Sequence, residues 1–318
     1  MSTLVRRSSG LRGQWLRSLS TSKPILPKSM ALDQYNVKYI DVRPARAIEA
    51  QPMPTVVLLH GAPGSYNDFK HLIPLLQDRA RVVAINLPQF GDLHVTQTTD
   101  RFKAVYADTV AEAAYRAIIE ICRDDPYVFV AGHSFGGHAA INVVSAANKE
   151  RSVNVKGMAL LASAGHRPHK TLFPQTFKIM TWFIESKIPF ISKAAMSFAH
   201  WNYVNIIGFP RSLPRNYYIS ALLRKNSTNY DAVIKQLEGL SHIPSFVAWS
   251  KRDGHIEEEI ALNLSRLSGA GPRVSFVGGG HNIQKTRAPA LAHELLSWME
   301  DVVAGREQTY NKDPVVID

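Results

Sequence analysis

The chain has very little cysteine and no long apolar run. Cys122 is the single cysteine among 318 residues, so no disulfide can form within the chain, as is usual for a protein of a reducing compartment. Cys122 falls in a segment with helical apolar spacing, which favours a small buried residue over a nucleophile. No stretch holds the 18 or more apolar residues that a membrane-spanning helix needs. The sequence therefore predicts neither a disulfide framework nor a transmembrane helix.

Acidic residues are missing from the first 30 positions. The segment instead holds six basic residues: Arg6, Arg7, Arg12, Arg17, Lys23 and Lys28. A basic, serine-rich and acid-free head is typical of a mitochondrial transit peptide, and it lacks the apolar core of a secretory signal. We predict mitochondrial localisation, the alternative being a disordered basic tail on a cytoplasmic protein. The rest of the chain has a net charge of only +5 and no basic stripe with interleaved aromatics, so we predict no nucleic-acid binding.

Short β-branched runs alternate with helical apolar spacing along most of the chain. The predicted strands are 37–42, 55–59, 81–86, 127–131, 155–161, 243–250 and 273–277. Several are apolar without alternation, as strands buried on both faces of a parallel sheet are. The order of strands and helices predicts an α/β protein with a doubly wound, mostly parallel sheet.

The alternation stops between residues 166 and 242. This stretch has helical patches and many aromatic residues but no buried strand, and we interpret it as a helical cap. The core is then formed by residues 31–165 and 243–305, and residues 306–318 form a tail. The cap aromatics indicate an apolar or lipid-like ligand, unless they only pack the cap onto the sheet. A cationic, aromatic cap could also rest on a membrane.

A nucleophile candidate lies between a predicted strand and a predicted helix. Gly132-His133-Ser134-Phe135-Gly136 is a G-x-S-x-G sequence. A sharp turn between strand and helix strains the serine backbone and exposes its hydroxyl, and Gly132 and Gly136 let the two elements approach closely. The alternative is a glycine-rich turn without chemistry. His133 is expected to point away from the hydroxyl and to be structural.

A serine hydroxyl needs a base, and the base needs an orienting carboxylate. His281 follows Gly278-Gly279-Gly280 after the last predicted strand, and we prefer it to His242 and His255. Asp253 follows the penultimate strand. It could instead be an acid at a helix N-terminus.

An oxyanion hole needs two backbone N–H donors. One is expected from Phe135, directly after the nucleophile. The other is expected from Ala62 in His60-Gly61-Ala62-Pro63-Gly64, because proline has no N–H. The glycine at Gly61 suits a tight turn, which is also the alternative interpretation of this motif.

Taken together, these motifs resemble the α/β-hydrolase superfamily, in the branch with a cap after the sixth strand. The order Ser134, Asp253, His281 is the order of that family's triad. The resemblance spans about residues 37–303 and implies an eight-stranded sheet and hydrolysis of esters or related acyl compounds. Epoxide hydrolases and haloalkane dehalogenases of this branch carry Asp as nucleophile, so Ser134 argues against both. The chain departs from the family in the loop that starts at Asn86, where Asp-x-Pro-Gly is usual and Asn-Leu-Pro-Gln is present.

The sequence thus predicts a serine hydrolase that acts on a small acyl substrate, possessing a Ser-Asp-His triad and needing no metal or organic cofactor. Thioester, amide and carbon–carbon bond hydrolysis use the same machinery and stay open. A non-catalytic ligand-binding or scaffold protein of the same fold is the alternative from another class. The sequence does not indicate the oligomeric state.

Overall fold

The computed structural model describes residues 26–44, 53–93, 100–170, 173–309 and 313–318. Within them the chain forms nine strands in one sheet with the order β1-β2-β4-β3-β5-β6-β7-β8-β9. The strands are β1 Lys28–Leu32, β2 Tyr35–Val42, β3 Thr55–Leu59, β4 Arg81–Ile85, β5 Val128–His133, β6 Val155–Leu161, β7 Ser245–Ser250, β8 Arg273–Phe276 and β9 Val315–Ile317.

Ten α-helices connect or flank these strands in the same ranges of the chain. They are α1 Ile73–Leu76, α2 Ala107–Cys122, α3 Gly136–Glu150, α4 Pro174–Ile184, α5 Pro189–Asn205, α6 Arg215–Asn226, α7 Tyr230–Gly239, α8 Glu258–Leu267, α9 Ile283–Thr286 and α10 Ala288–Val303. Short 3-10 turns occupy Tyr66–Phe69, Phe90–Asp92 and Lys103–Val105. No helix in the described ranges has the length and apolarity to cross a membrane.

The predicted α/β architecture is confirmed. From β4 to β9 neighbouring strands pair parallel, whereas β1 with β2 and β2 with β4 pair antiparallel. The residues of β3, β4 and β5 are all buried, since helices cover both faces of a parallel sheet. One core lies between the sheet and helices α2 and α3, and the other lies between the sheet and helices α1 and α10.

The sheet has one strand more than the eight that the resemblance implies. The additional strand at the far edge is β9, which lies in the predicted tail 306–318 and pairs parallel with β8. At the other edge β1 begins at Lys28, inside the predicted head 1–30, and pairs with β2. The targeting prediction concerns residues 1–30, of which residues 1–25 lie outside the described residues.

The segment between β6 and β7 contains four helices with two different positions. Helices α4, α5 and α6 pack on one another, whereas α7 packs along α3 and contacts α8. Helix α7 is therefore the crossover helix that returns the chain to β7, and α4–α6 form the inserted layer. The predicted cap 166–242 contains both.

Candidate active site

Ser134 lies at a sharp turn between a strand and a helix. Strand β5 ends at His133 and α3 begins at Gly136. The Ser134 φ angle is 54°, in the left-handed region that non-glycine residues seldom occupy, and such strain is concentrated at functional sites. The turn points the Ser134 side chain into a cavity at the carboxyl edge of the sheet.

The glycines of this turn are required by close approach of backbone segments. A Cβ atom on Gly132 would lie 2.2 Å from the Gly136 carbonyl oxygen, and a Cβ on Gly136 would lie 2.2 Å from the Leu59 carbonyl oxygen. Both distances are far below van der Waals contact. The two glycines thus allow α3 to start directly against β5 and β3.

Ser134, His281 and Asp253 form one hydrogen-bonded row. The His281 Nε2 atom lies 2.8 Å from Ser134 Oγ, and His281 Nδ1 lies 2.8 Å from Asp253 Oδ2. A carboxylate only accepts, so Nδ1 carries the proton and Nε2 is left to accept from the serine hydroxyl. These residues follow β5, β7 and β8, whose carboxyl ends lie along the same edge of the sheet.

Asp253 is held in its ionised form. Its side chain is 3% exposed, and burial by itself would raise the pKa. The hydrogen bond and charge of His281, with the His255 and Ile256 amides that donate to Oδ1 at 2.8 Å and 3.0 Å, outweigh burial and lower the pKa of Asp253. The two amides also fix the carboxylate plane, so that Oδ2 faces His281.

The loop that carries His281 is attached to the turn that carries Ser134. The His281 backbone carbonyl accepts a hydrogen bond from His133 Nε2 at 3.0 Å. His133 is buried, and burial, together with its interaction with His281, lowers its pKa to about 3, so His133 is neutral. Gly279 and Gly280 have φ angles of 118° and 65°, which only glycine adopts without strain.

Ala62 and Phe135 lie on either side of Ser134. Both line the cavity, and they pack in one apolar cluster with Ala221. The loop that carries Ala62 lies directly against the nucleophile, because a Cβ on Gly61 would be 3.1 Å from Ser134 Cβ. Neither amide N–H donates to another protein group in the described chain. Both amides therefore remain free to bind an oxyanion.

His60 fixes the loop of Ala62. It is buried; its Nδ1 donates to the Gly61 carbonyl at 2.7 Å, and its Nε2 accepts from the Leu87 amide at 2.9 Å. Burial lowers the pKa of His60 to about 4, which keeps it neutral and able to accept. Sequence reasoning did not assign these roles to His60 and His133, since their hydrogen-bond partners are brought close only by the fold.

Hydrogen bonds hold the loop after β4, in which the chain departs from the family pattern. Asn86 Oδ1 accepts from the Tyr66 amide at 2.8 Å, and Gln89 Nε2 donates to the Leu87 carbonyl at 3.0 Å. The substituted residues thus hold the loop through their amide side chains.

Neither alternative base nor the cysteine joins the row formed by Ser134, His281 and Asp253. The ring of His255 is 5.0 Å from that of His281, but Asp253 receives the backbone amide of His255 and not its ring. His242 is exposed and contacts Asn148. Cys122 is buried, and burial raises the pKa of its thiol to about 12. Of these three, only His255 lines the cavity.

The cavity above Ser134 has a volume of about 190 Å³. Its floor is formed by the carboxyl edge of the sheet and its walls by the inserted helices. The apolar wall residues are Phe177, Tyr203, Ile207, Phe209, Pro210 and Leu213. The remaining lining is largely polar and includes Asp68, Lys225, Lys285 and several histidines. Apolar walls beside convergent polar groups are the usual form of a small-molecule site.

Comparison with known proteins defines the class of this chain. The family described as alpha/beta hydrolase of unknown function (DUF1057) matches residues 27–269. The chain is therefore an α/β hydrolase and belongs to this family.

Individual relatives agree with this assignment. An uncharacterised protein of Caenorhabditis elegans is 26% identical over 72% of this chain, a match that spans 64% of the relative's own length. An uncharacterised hydrolase of Saccharomyces cerevisiae is 25% identical over 77% of this chain and 88% of its own.

Solved structures share the fold at lower identity. A haloalkane dehalogenase of Bradyrhizobium elkani has a TM-score of 0.65 at 14% identity, covering 88% of this chain and 99% of its own. A carboxylesterase of Bacillus subtilis has a TM-score of 0.57 at 15% identity, covering 87% and 92%. An esterase of Thermogutta terrifontis has a TM-score of 0.62 at 17% identity, covering 87% and 99%.

Proposed function

We propose that this hydrolase cleaves an ester or related acyl bond by nucleophilic attack of Ser134. The observation that carries the proposal is the row of two 2.8 Å hydrogen bonds from Asp253 through His281 to Ser134. A serine is weakly nucleophilic until an adjacent base takes its proton, and this row supplies the base with the correct tautomer.

The proposed reaction has two halves. Ser134 Oγ attacks the acyl carbon while its proton passes to His281 Nε2, and that proton then leaves with the alcohol as the carbon–oxygen bond breaks. Water next attacks the acyl-serine, again giving its proton to His281, and the acid leaves as Ser134 regains a proton. Ionised Asp253 stabilises the imidazolium that forms in each half, because it accepts the Nδ1–H throughout.

The Ala62 and Phe135 amides are proposed to bind the oxyanion of each tetrahedral intermediate. Both lie beside Ser134 and make no competing hydrogen bond within the described chain. Removing one such donor costs about 3–4 kcal/mol of transition-state stabilisation in other enzymes. The two loops that carry the donors are held by the glycines of the turn and by His60.

The wall of the cavity favours a small apolar or lipid-like acyl group. Its aromatic and aliphatic side chains come from α4, α5 and the segment that follows. Thioesters, amides and activated carbon–carbon bonds present the same electrophilic carbonyl to Ser134, so a substrate panel is needed to choose among them. Short- and long-chain acyl esters, with matched thioesters and amides, form that panel.

Covalent labelling tests the nucleophile. A fluorophosphonate probe should label the wild-type chain at Ser134 and should not label Ser134→Ala, which should also lose ester hydrolysis. Ser241→Ala, at an exposed serine outside the cavity, should be labelled like the wild type. If the wild-type chain resists the probe and every ester, a non-catalytic ligand-binding protein of the same fold becomes the better explanation.

We also propose that the basic head directs the protein to mitochondria. A fusion of residues 1–30 to a fluorescent reporter should co-localise with a mitochondrial dye. A reporter with Arg6, Arg7, Arg12 and Arg17 replaced by glutamine should be diffuse. Diffuse fluorescence of the unaltered fusion would reject the proposal.

A further inference from the structure

Among the described residues that line the catalytic cavity, one cation has no counter-ion. Two lysines line it, Lys225 and Lys285. Lys285 Nζ lies 2.6 Å from Asp68 Oδ1, and Asp68 is the one carboxylate among the described lining residues. Lys285 and Asp68 therefore neutralise each other, and Lys225 is left with an unbalanced positive charge.

Lys225 lies near the end of α6 and extends over an aromatic ring. Its Nζ is 5.5 Å from the centre of the Tyr203 ring, and in the described chain no carboxylate lies within ion-pair distance of it. The neighbouring imidazoles cannot supply a negative charge. Burial and nearby cations lower the pKa of both His169 and His255, so these rings add no further positive charge at neutral pH. Burial lowers the pKa of Lys225 to about 8, so the ammonium is still mostly protonated at neutral pH.

Lys225 is only partly exposed, and an unpaired ammonium that is partly withdrawn from bulk water reduces the stability of a protein. A cation–π contact with Tyr203 offsets only part of this cost. A methionine or leucine would fit an apolar cavity wall without the cost. The charge is therefore best explained by a ligand that supplies the missing anion.

We propose that Lys225 binds a carboxylate of the substrate, remote from the acyl bond that Ser134 attacks. The substrate class is then an ester or related acyl compound with an apolar chain and a free carboxylate. This inference rests on the proposed function for the reaction, but the binding of the anion itself does not require catalysis.

Matched esters test the proposal. Monomethyl and dimethyl esters of the same dicarboxylic acid, from succinate to sebacate, differ only in the free carboxylate. The wild type should prefer at least one monoester over its diester in kcat/KM. Lys225→Met should lower that preference by roughly 10–100-fold, the usual effect of losing a hydrogen bond to a charged group, and Lys225→Arg should retain part of it.

Two further measurements separate the possible failures. Lys235→Met removes an exposed lysine of α7 and should keep the wild-type preference. Calorimetric titration of Ser134→Ala with the best monoester should show binding that the additional change Lys225→Met weakens tenfold or more. The Lys225 proposal alone is overturned if the wild type hydrolyses monoesters and diesters equally well and if Ser134→Ala binds the monoester no more tightly than the double variant Ser134→Ala, Lys225→Met. Binding by Ser134→Ala with undiminished hydrolysis would instead overturn the nucleophile.

An independent observation concerns the outer surface of the inserted layer. Ile179, Trp182 and Phe183 share one face of α4 and are 58%, 70% and 40% exposed. Phe190 and Trp201 on the adjacent helix α5 are 80% and 51% exposed. We call this surface, with Phe198 on α5 and Ile188 between the helices, the α4–α5 face. An apolar surface of this kind on a folded protein marks an interaction site.

The exposed charges on α4, α5 and their connection are all positive. The exposed charged residues of α4, α5 and their connection are Lys178, Lys187 and Lys193. The single acid there, Glu185, is half-buried and accepts a hydrogen bond from Tyr106. Trp and Phe combined with lysine are typical of helices that lie in the interface of an anionic membrane.

The α4–α5 face also adjoins the entrance of the cavity. Ile207, which follows α5, is 38% exposed and lines the cavity. Phe177 of α4 and Tyr203 of α5 line the cavity from the inner side of the same two helices. We infer that the α4–α5 face rests on an anionic lipid surface. A second copy of the chain fits less well, because a symmetric contact would bring the lysines of both copies together.

Vesicle co-sedimentation of the full chain tests this second inference. Binding should be stronger to phosphatidylcholine vesicles that contain a quarter phosphatidylglycerol than to pure phosphatidylcholine. The double change Trp182→Ser and Phe190→Ser should weaken vesicle binding by roughly tenfold or more, because two large apolar side chains that would be buried in the lipid are then missing. Leu26→Ser alters an exposed leucine elsewhere and should bind like the wild type. The inference is overturned if the double variant sediments with the vesicles as well as the wild type does. It is also overturned if the wild type does not bind vesicles and instead forms a dimer in light scattering that the double change dissociates.

Discussion

His133 Nε2 donates a hydrogen bond to the backbone carbonyl of His281 across 3.0 Å. The residue before the proposed nucleophile therefore holds the residue proposed to be its base. The bond joins the end of β5 to the loop that follows β8, and β6 and β7 lie between these two strands in the sheet. Its strength decides how closely Ser134 and His281 stay aligned when the loop after β8 fluctuates.

Removing this bond should reduce turnover more than substrate binding. We expect His133→Leu to lower kcat by about 10–100-fold with little change in KM, because misplacement of a reacting group by a fraction of an ångström is costly. Steady-state kinetics with the best ester of the panel measures both constants. His242→Gln, at an exposed histidine outside the cavity, is the matched control. If His133→Leu lowers the thermal stability and leaves the NMR shifts of the His281 ring unaltered, His133 is a core residue that does not position His281.

Asp253→Asn should leave the fold intact and abolish most activity. The side-chain amide that this change introduces cannot accept from the His281 Nδ1–H and from two backbone amides in the same geometry. His281 would then adopt the tautomer with a proton on Nε2, which is unable to accept from Ser134. A loss of about 10³–10⁴ in kcat follows by analogy with the same change in a serine protease. The exposed Asp231→Asn should be neutral, and a comparable rate for Asp253→Asn would remove Asp253 from the mechanism.

Gly136→Ala should destabilise the protein strongly. The added Cβ would lie 2.2 Å from the Leu59 carbonyl oxygen, so that α3 must move away from β3. We expect a loss of more than about 3 kcal/mol in the free energy of unfolding, as for severe overpacking. Gly239→Ala in α7 is the control; nothing lies within 4 Å of its Cβ, and a gain of up to about 1 kcal/mol is expected there. Urea unfolding distinguishes the two, and a Gly136→Ala protein as stable as the wild type would contradict the close approach.

Stability should fall as the pH falls below about 6.5. His60, His133 and His138 are buried, and burial lowers their pKa values to about 4, 3 and 4. In the unfolded chain a histidine titrates near 6.5, so the unfolded state binds more protons between about pH 6.5 and 4. Each histidine then removes up to about 1.4 kcal/mol per pH unit in that window.

Urea titrations between pH 7 and pH 5 measure this slope. His138→Gln removes one of the three histidines and can keep the hydrogen bond to the Gly165 carbonyl, so its slope should be smaller than that of the wild type. Identical slopes for the two proteins would show that His138 takes up its second ring proton equally well in the folded and in the unfolded state.

The sequence predicted those parts of the site that depend on strand ends. Ser134, Asp253 and His281 each follow a buried apolar run, and in a parallel sheet such runs all end at one edge. The hydrogen bonds between the three residues could then be anticipated from order alone. The α/β fold followed from the same runs.

Features that depend on tertiary contacts escaped the sequence analysis. Strand β9 has only three residues, Val315–Ile317, and forms because β8 offers it an edge. Residues 66–78 have the apolar spacing of one helix, yet they form a 3-10 turn followed by the short helix α1, which begins next to Pro74. That Lys225 has no carboxylate within ion-pair distance among the described residues becomes visible only when the cavity lining is assembled. A pairing that is absent leaves no pattern along the chain.

Strand β6 lies between β5 and β7 and contributes none of the three residues proposed for the chemistry. It is the strand from which the chain departs into α4, α5 and α6. These three helices can therefore be exchanged for others of different length and lining without changing the positions of Ser134, His281 and Asp253. Proteins that keep Ser134, Asp253 and His281 at this sheet edge are then expected to differ mainly in the shape and lining of the cavity above it.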